Sequence, residues 1–308
     1  MEEKKIVKKT GSGRFIWRLF YPVLILFGVQ FITEFIFGFF AALRYALANP
    51  QLYNEFQEML RQSEQYLLEV LLENANILSI ISSVIAIPLF ILFMHLDTKR
   101  RYREGTHETY DKVPAGFFAV AVLLGVTTAV TVNNLIEISG IYQIDSEYMD
   151  QFSEIIYSGG IIVELLSIVV LGPVVEELCF RGLIYRRMRE RCPVKLSMFF
   201  SALIFAVFHG NIVQGIYAFI LGMFMAFVYE RFKSVVAPIL FHVGANLFSV
   251  IATETGVLDF VTESNTAAIV YIAAGAILTI LFLWIIYENV RPRLLIPSEA
   301  SQREEPGT

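Results

Sequence analysis

Eight runs of mostly apolar residues, at roughly 19–43, 77–96, 115–137, 159–185, 196–210, 212–229, 234–253 and 267–288, constrain this chain more than any other feature. A transmembrane helix needs about 20 such residues to cross the hydrocarbon layer. The sequence therefore predicts an all-α fold, a polytopic transmembrane helical bundle of about eight spans. Composition agrees, with 56% of residues hydrophobic, 17% charged, 27 Phe and a mean hydropathy of +0.60. An ordinary soluble domain is about 45–50% apolar and about 25% charged, and one soluble core could not hide this much apolar surface. The fifth run is short and is parted from the sixth only by a turn around Gly210 and Asn211. One of the two is expected to be tilted or to cross only in part.

Loop charge sets the orientation, because basic residues stay on the cytoplasmic side. Basic clusters lie at Lys4, Lys5, Lys8 and Lys9, at Lys99 to Arg103, at Arg186 to Arg191, at Arg231 and Lys233, and at Arg291 and Arg293. They fall at the N-terminus and after the second, fourth, sixth and eighth runs, whereas the loops between are acidic. Both termini are therefore expected in the cytoplasm. The first run is too long for a cleaved signal and no small-residue site follows it, so it reads as a retained span. The expected organisation is a cytoplasmic segment 1–18, a single transmembrane domain 19–290 and a flexible cytoplasmic tail 291–308. Residues 50–76 carry Leu and Phe at helical spacing among Glu and Gln, which predicts an amphipathic helix on the outer surface. Two cysteines, Cys179 and Cys192, make no disulfide framework and are read as free thiols. Compact size and short loops fit the plasma membrane of a prokaryote.

An ionisable group within the membrane costs about 2.5–3.5 kcal/mol on insertion scales and by default marks function. The fourth run contains Gly172-Pro173-Val174-Val175-Glu176-Glu177-Leu178-Cys179-Phe180-Arg181. Glu177 and Arg181, four apart, share a helix face and can pair, while Glu176 is turned about 100° away. Arg181 can hold one carboxylate fixed and leave the other to exchange a proton, as a general base must. A buried ion pair that sets helix packing explains one Glu and one Arg equally well, but not the second Glu. Two histidines lie inside spans: His209 shares a face with Phe205, and His242 with Asn246. Either imidazole alone reads best as a packing residue. With Asn246 and the two glutamates they supply a base, proton-handling or metal-binding imidazoles and an amide donor, which is most of what peptide hydrolysis requires. At about 1.5 Å per residue, Glu176, His242 and His209 sit about 15, 12 and 20 Å from the cytoplasmic ends of their helices. One cavity can collect all three.

Glu176-Glu177-x-x-x-Arg181, Phe205-x-x-x-His209 and His242-x-x-x-Asn246, in that order on successive hydrophobic regions, resemble the motifs of the CAAX-protease and bacteriocin-processing family of intramembrane proteases. Its best understood members are prenyl-protein endopeptidases that remove the last three residues of CAAX proteins. Each motif alone is weak, since four-residue spacings are common in helices; the ordered set is specific. The resemblance covers roughly 159–253, with nothing comparable in the first 110 residues. It implies that Glu176 activates water with help from His209, and that His242 and Asn246 stabilise the oxyanion. Glu177 and Arg181 would support them, with Phe205 packed beneath His209. The His-Glu-x-x-His zinc helix is absent, yet Glu176, His209 and His242 could form a three-ligand site for a divalent metal such as zinc. A glutamate-dependent, metal-free mechanism is the favoured expectation. The implied partner is a membrane-associated peptide or protein, prenylated or not, within the lipid bilayer, and no nucleic acid.

Other polar residues receive plainer readings. Glu164, Glu34 and Gln30 face helix neighbours, Glu137 is interfacial, and Asn133-Asn134 cap or bridge helices. His95 and His107 are solvated, and Gly222 and Gly244 let helices approach. Lys99 to Arg103 serve orientation and anionic lipid contact. Pro173 is expected to kink the fourth span. Two competing functions remain at this stage. A catalytically silent scaffold or bacteriocin-immunity protein of the same fold would have no reason to keep four polar residues in lipid. A transporter would be expected to show repeats and broken helices, which are not apparent.

Overall fold

A computed structural model describes residues 11–49, 56–145, 153, 155–157, 159–256 and 265–295. In chain order its helices are α1 (Ser12–Ala48), α2 (Phe56–Glu73), α3 (Ala75–Glu104), α4 (Gly116–Ser139), α5 (161–188), α6 (Val194–Phe208), α7 (Ile212–Phe232), α8 (Val236–Thr255) and α9 (Asn265–Asn289). Among the described residues the only β pairing is a single bridge between Tyr110 and Leu294. All helices but α2 fall on the apolar runs, so the chain is the expected helical membrane bundle. Six of them, α1, α3, α4, α7, α8 and α9, are individually long and apolar enough to cross a membrane. The two that fall outside that measure, α5 and α6, do so for physical reasons, and with them eight helices lie on the eight apolar runs. With 15 residues, α6 rises only about 22 Å, short of a hydrocarbon core of about 30 Å. The turn at Gly210 and Asn211 then starts α7, where the Asn211 side chain caps the N–H groups of Val213 and Gln214. The other exception, α5, is continuous in path but changes helical pitch along its length.

In the middle of the bundle stands α5: every residue from Leu178 to Tyr185 is buried. Buried on every face there, its charged side chain included, it is sheathed by α1, α3, α6, α7 and α8. On the outside, Phe31 and Phe35 of α1 and Ile277 and Ile280 of α9 are exposed, a surface suited to lipid. Closest of all is the approach of α4 to α8. A Cβ on Gly125 would lie 1.9 Å from the Phe241 carbonyl oxygen, and one on Gly244 would lie 2.4 Å from that of Val122. Only glycine at both positions lets the two backbones touch, so the expectation for Gly244 holds and Gly125 completes the pair. Asn133 bridges the same helices, its amide donating to Ser249 at 3.3 Å.

The amphipathic helix foreseen at 50–76 is α2, which leans on the far end of α1 with Tyr66 stacked on Tyr45 at 4.6 Å. Residues 291–295, at the start of the segment read as a tail, are held by 109–111: Leu295 N–H donates to the Thr109 carbonyl, and Asp111 N–H to that of Arg293. The N-terminal lysines and the rest of the tail lie outside the described residues.

Candidate active site

Local irregularity in α5 shapes the site. Residues Leu165–Leu171 and Leu178–Tyr185 are π-helical, and between them the α-helical stretch Gly172–Glu177 carries both glutamates. Such π-turns are uncommon and cluster at functional sites. In the first one the Gly172 N–H donates to the Ser167 carbonyl, five residues back. The next donor in that pattern would be residue 173, which is proline and has no N–H. The Ile168 carbonyl is thus without a helical partner, and the Asn246 side-chain amide fills the gap at 2.8 Å. The expected disturbance at Pro173 is therefore a change of pitch and a side-chain cap.

The two carboxylates have different environments. Glu177 is fully buried: its Oε1 accepts a 2.6 Å hydrogen bond from Nη1 of the equally buried Arg181 and lies 3.3 Å from Nδ1 of His242. Arg181 also donates to the Gly222 carbonyl at 3.1 Å, and its guanidinium carbon stands 4.6 Å from the Phe205 ring centroid. Glycine at 222 leaves the space for this, since a Cβ there would sit 3.2 Å from Arg181 Nη2. Glu176 is 22% exposed and 3.9 Å from His242 Nε2, too far for a direct hydrogen bond. A gap of that size between two polar groups admits a bridging water.

Phe205 joins the remaining parts. On it stand both imidazoles edge-on, His209 with centroids 4.8 Å apart and His242 at 5.9 Å, together with the Arg181 cation. His209 Nδ1 lies 2.8 Å from the Phe205 carbonyl; because a carbonyl only accepts, Nδ1 carries the proton and Nε2 keeps its lone pair. By the same reasoning His242 Nδ1 donates to Glu177 and Nε2 turns toward Glu176. A carboxylate fixing an imidazole in this way sets its tautomer and orientation.

Of the seven residues singled out in the sequence, Glu176, Glu177, Arg181, Phe205, His209 and His242 come together around one ring and one carboxylate pair. Asn246, one turn beyond His242, instead contacts the α5 backbone two turns before Glu176. No three His, Cys, Asp or Glu side chains among the described residues converge closely enough to hold a metal. As placed, Glu176, His209 and His242 do not fit a metal, and no step below runs through one. Glu164 is fully buried among helix neighbours.

Sequence reading missed a second polar centre at the basic end. Arg187, wholly buried, donates to Asp97 at 2.6 Å and to the Tyr21 hydroxyl at 2.6 Å. Arg18 bridges Asp97 and Glu190 at 3.1 Å each, and Glu190 also receives Arg100 and Arg101. This network ties the end of α5 to α1 and α3. Its signal was Asp97, an acid just ahead of the basic run Lys99 to Arg103, but that run was read as serving orientation and anionic lipid contact.

A helical membrane protein with an acid–imidazole cluster buried at its centre is a candidate membrane-embedded hydrolase. Residues 158–248 match the family model described as Type II CAAX prenyl endopeptidase Rce1-like. The chain is also similar to the "Putative membrane peptidase YdiL" of Bacillus subtilis (strain 168), 24% identical over 202 residues, covering 64% of this chain and 80% of that one. No solved structure matches it significantly. Both matches bear out the resemblance to the CAAX-protease and bacteriocin-processing family, and they support a membrane protease in general. The family match spans the helices that carry all seven singled-out residues.

Proposed function

We propose that this chain is an intramembrane endopeptidase that hydrolyses a peptide bond of a membrane-associated substrate, with Glu176 as the base that activates water. The observation that carries the reading is the division of labour between adjacent carboxylates. Glu177 is committed to Arg181 and His242, whereas Glu176 has no direct hydrogen bond to a described residue and faces a nitrogen lone pair across 3.9 Å. A water in that gap would give its proton to Glu176 and attack the scissile carbonyl. His242, held by Glu177, would take up the proton and donate from Nε2 to the developing oxyanion. As the C–N bond breaks, His242 would pass that proton to the leaving amine nitrogen; His209 Nε2, which keeps its lone pair, would accept a hydrogen bond from the water, and the second N–H of the Asn246 amide is the further donor proposed for the oxyanion. Fixed donors in a water-poor site are the strongest single means of stabilising such a charge.

The matched family model makes a prenylated CAAX-type peptide the first substrate to test. Purified protein would be offered fluorogenic peptides, prenylated and plain, beside the Glu176→Gln variant. Removing a positioned base lowers the rate about 10²–10⁴-fold, so cleavage by the parent and not by the variant supports the reading. Equal cleavage by both would remove Glu176 from the chemistry.

A further inference from the structure

On the lipid-facing side of the bundle, an apolar groove of about 430 Å³ lies between α7 and α9. Its walls include Met223, Phe224 and Phe227 from α7, and Leu283, Trp284 and Tyr287 from α9. Helical spacing continues both walls into charge. Met223, Phe227 and Arg231 follow one another at four-residue intervals, as do Leu283, Tyr287 and Arg291. The two arginines meet at the mouth over one ring: their guanidinium carbons lie 4.8 Å and 5.4 Å from the Tyr287 centroid. Both also donate to the Tyr287 carbonyl. Glu288 takes up part of the charge of Arg291 at 3.2 Å, so the mouth keeps a net positive charge. Arg231 Nε, sealed from solvent, has no partner among the described residues. Trp284 and Tyr287 are half exposed, the placement of aromatic side chains at a membrane–water boundary.

We propose that this groove binds an anionic phospholipid of the cytoplasmic leaflet, with one acyl chain along the apolar walls and its phosphate on Arg231 and Arg291. Charge complementarity selects this occupant. The walls suit any hydrocarbon chain, but only an anionic headgroup answers two guanidiniums aligned with the groove axis. The basic end is the cytoplasmic end by loop charge, where anionic lipid is recognised by basic side chains. The inner wall reaches the candidate active site, because Phe224 stacks on Phe241, 6.5 Å between centroids and 21° between planes, and Phe241 precedes His242. The inference stands apart from the protease reading.

The chain has two tryptophans, Trp17 on α1 and Trp284 in the groove. In a Trp17→Phe protein the remaining fluorescence reports the groove. It would be reconstituted in phosphatidylcholine vesicles containing equal fractions of dibrominated phosphatidylglycerol or dibrominated phosphatidylcholine as quencher. Phosphatidylglycerol should quench at the lower mole fraction, by a preference on the order of five-fold per arginine. An added Arg231→Gln/Arg291→Gln change should bring the phosphatidylglycerol curve onto the phosphatidylcholine curve. Unchanged quenching by phosphatidylcholine in that variant shows the helices still seated in the membrane. Identical curves in the parent, or a preference that survives the double change, overturn the proposal. So does relief of quenching by a farnesylated peptide without regard to headgroup, which would give the groove to a prenyl chain. Relief as the protein-to-lipid ratio rises would give it to a second copy and overturn it equally.

Discussion

The Asn246 side chain donates 2.8 Å to the carbonyl of Ile168, the carbonyl that Pro173 strips of its helical partner. A buried acceptor left unsatisfied costs about 1–3 kcal/mol, so Asn246→Ala should lower thermal stability by that order. Pro173→Ala restores an N–H to α5 and should absorb most of the loss when combined with Asn246→Ala. Activity separates the two roles of the amide. If its second N–H serves the oxyanion, the double variant regains stability and remains slow. Full recovery of both would make Asn246 a helix cap alone. Thermal denaturation in detergent, run beside peptide cleavage, decides between them.

Glu177 and Arg181 are both fully buried and joined at 2.6 Å. Removing one partner of such a pair strands a charge and costs about 3–5 kcal/mol. Glu177→Gln should therefore lower stability and activity together, whereas Glu176→Gln at a partly exposed site should leave the melting temperature nearly unchanged. A stable Glu177→Gln protein with full activity would dissolve the distinction between the two carboxylates. The carbonyl of Gly222 and the ring of Phe205 stay on Arg181 in either variant, so the outcome reads the carboxylate.

At the basic end, burial works to raise the Glu190 carboxyl pKa, but Arg18, with Arg100 and Arg101 behind it, outweighs burial and holds it below the usual 4.5. A carboxylate with a depressed folded-state pKa contributes stability above its unfolded value and loses it as pH falls through the folded one. The tie between α1, α3 and the end of α5 should hold from neutral pH to about 4.5 and weaken below. Glu190→Gln should lower stability at neutral pH and flatten this acid limb. An unaltered limb in that variant would assign it to other carboxylates. Melting curves across pH, in one detergent, would show it.

No described trio of His, Cys, Asp or Glu is spaced as a metal shell. Dialysis against a chelator is therefore expected to leave cleavage unchanged. Loss on chelation, restored by zinc, would mean that the side chains of Glu176, His209 and His242 rearrange around an ion, and would replace the water-activation scheme proposed above.

Much of this was legible in the sequence because lipid imposes a coarse code. Apolar length fixes the helices, and the scarcity of intramembrane charge pointed to Glu176, Glu177, Arg181, His209 and His242. What lay beyond reading depends on backbone detail. Pattern alone cannot say that α5 runs through two π stretches, because a π-turn follows from competing hydrogen bonds and not from the spacing of apolar side chains. Consequently the contact of Asn246 with Ile168 was invisible, though Pro173 announced a missing donor. Likewise, Arg187 sits within a run of arginines that all look like loop charge, and only the fold sinks it against Asp97.

Gly125 and Gly244 make the last case, because they set the distance between the helix that carries His242 and its neighbour. A methyl at Gly244 would meet the Val122 carbonyl oxygen at 2.4 Å, and backbone, unlike a flexible side chain, cannot turn aside. Gly244→Ala must push α8 from α4 and carry His242, two residues away, off its 3.3 Å approach to Glu177. Overpacking of this kind costs about 1–3 kcal/mol, and a displacement of about 1 Å at a reacting centre can lower the rate about 10²-fold. The rate should therefore fall further than stability does. Gly28→Ala on α1, where an added methyl meets nothing within 4 Å, serves as the control and should change neither. Unimpaired cleavage by Gly244→Ala would mean that the position of His242 does not depend on the contact between α4 and α8, and would weaken its assignment as an oriented proton carrier.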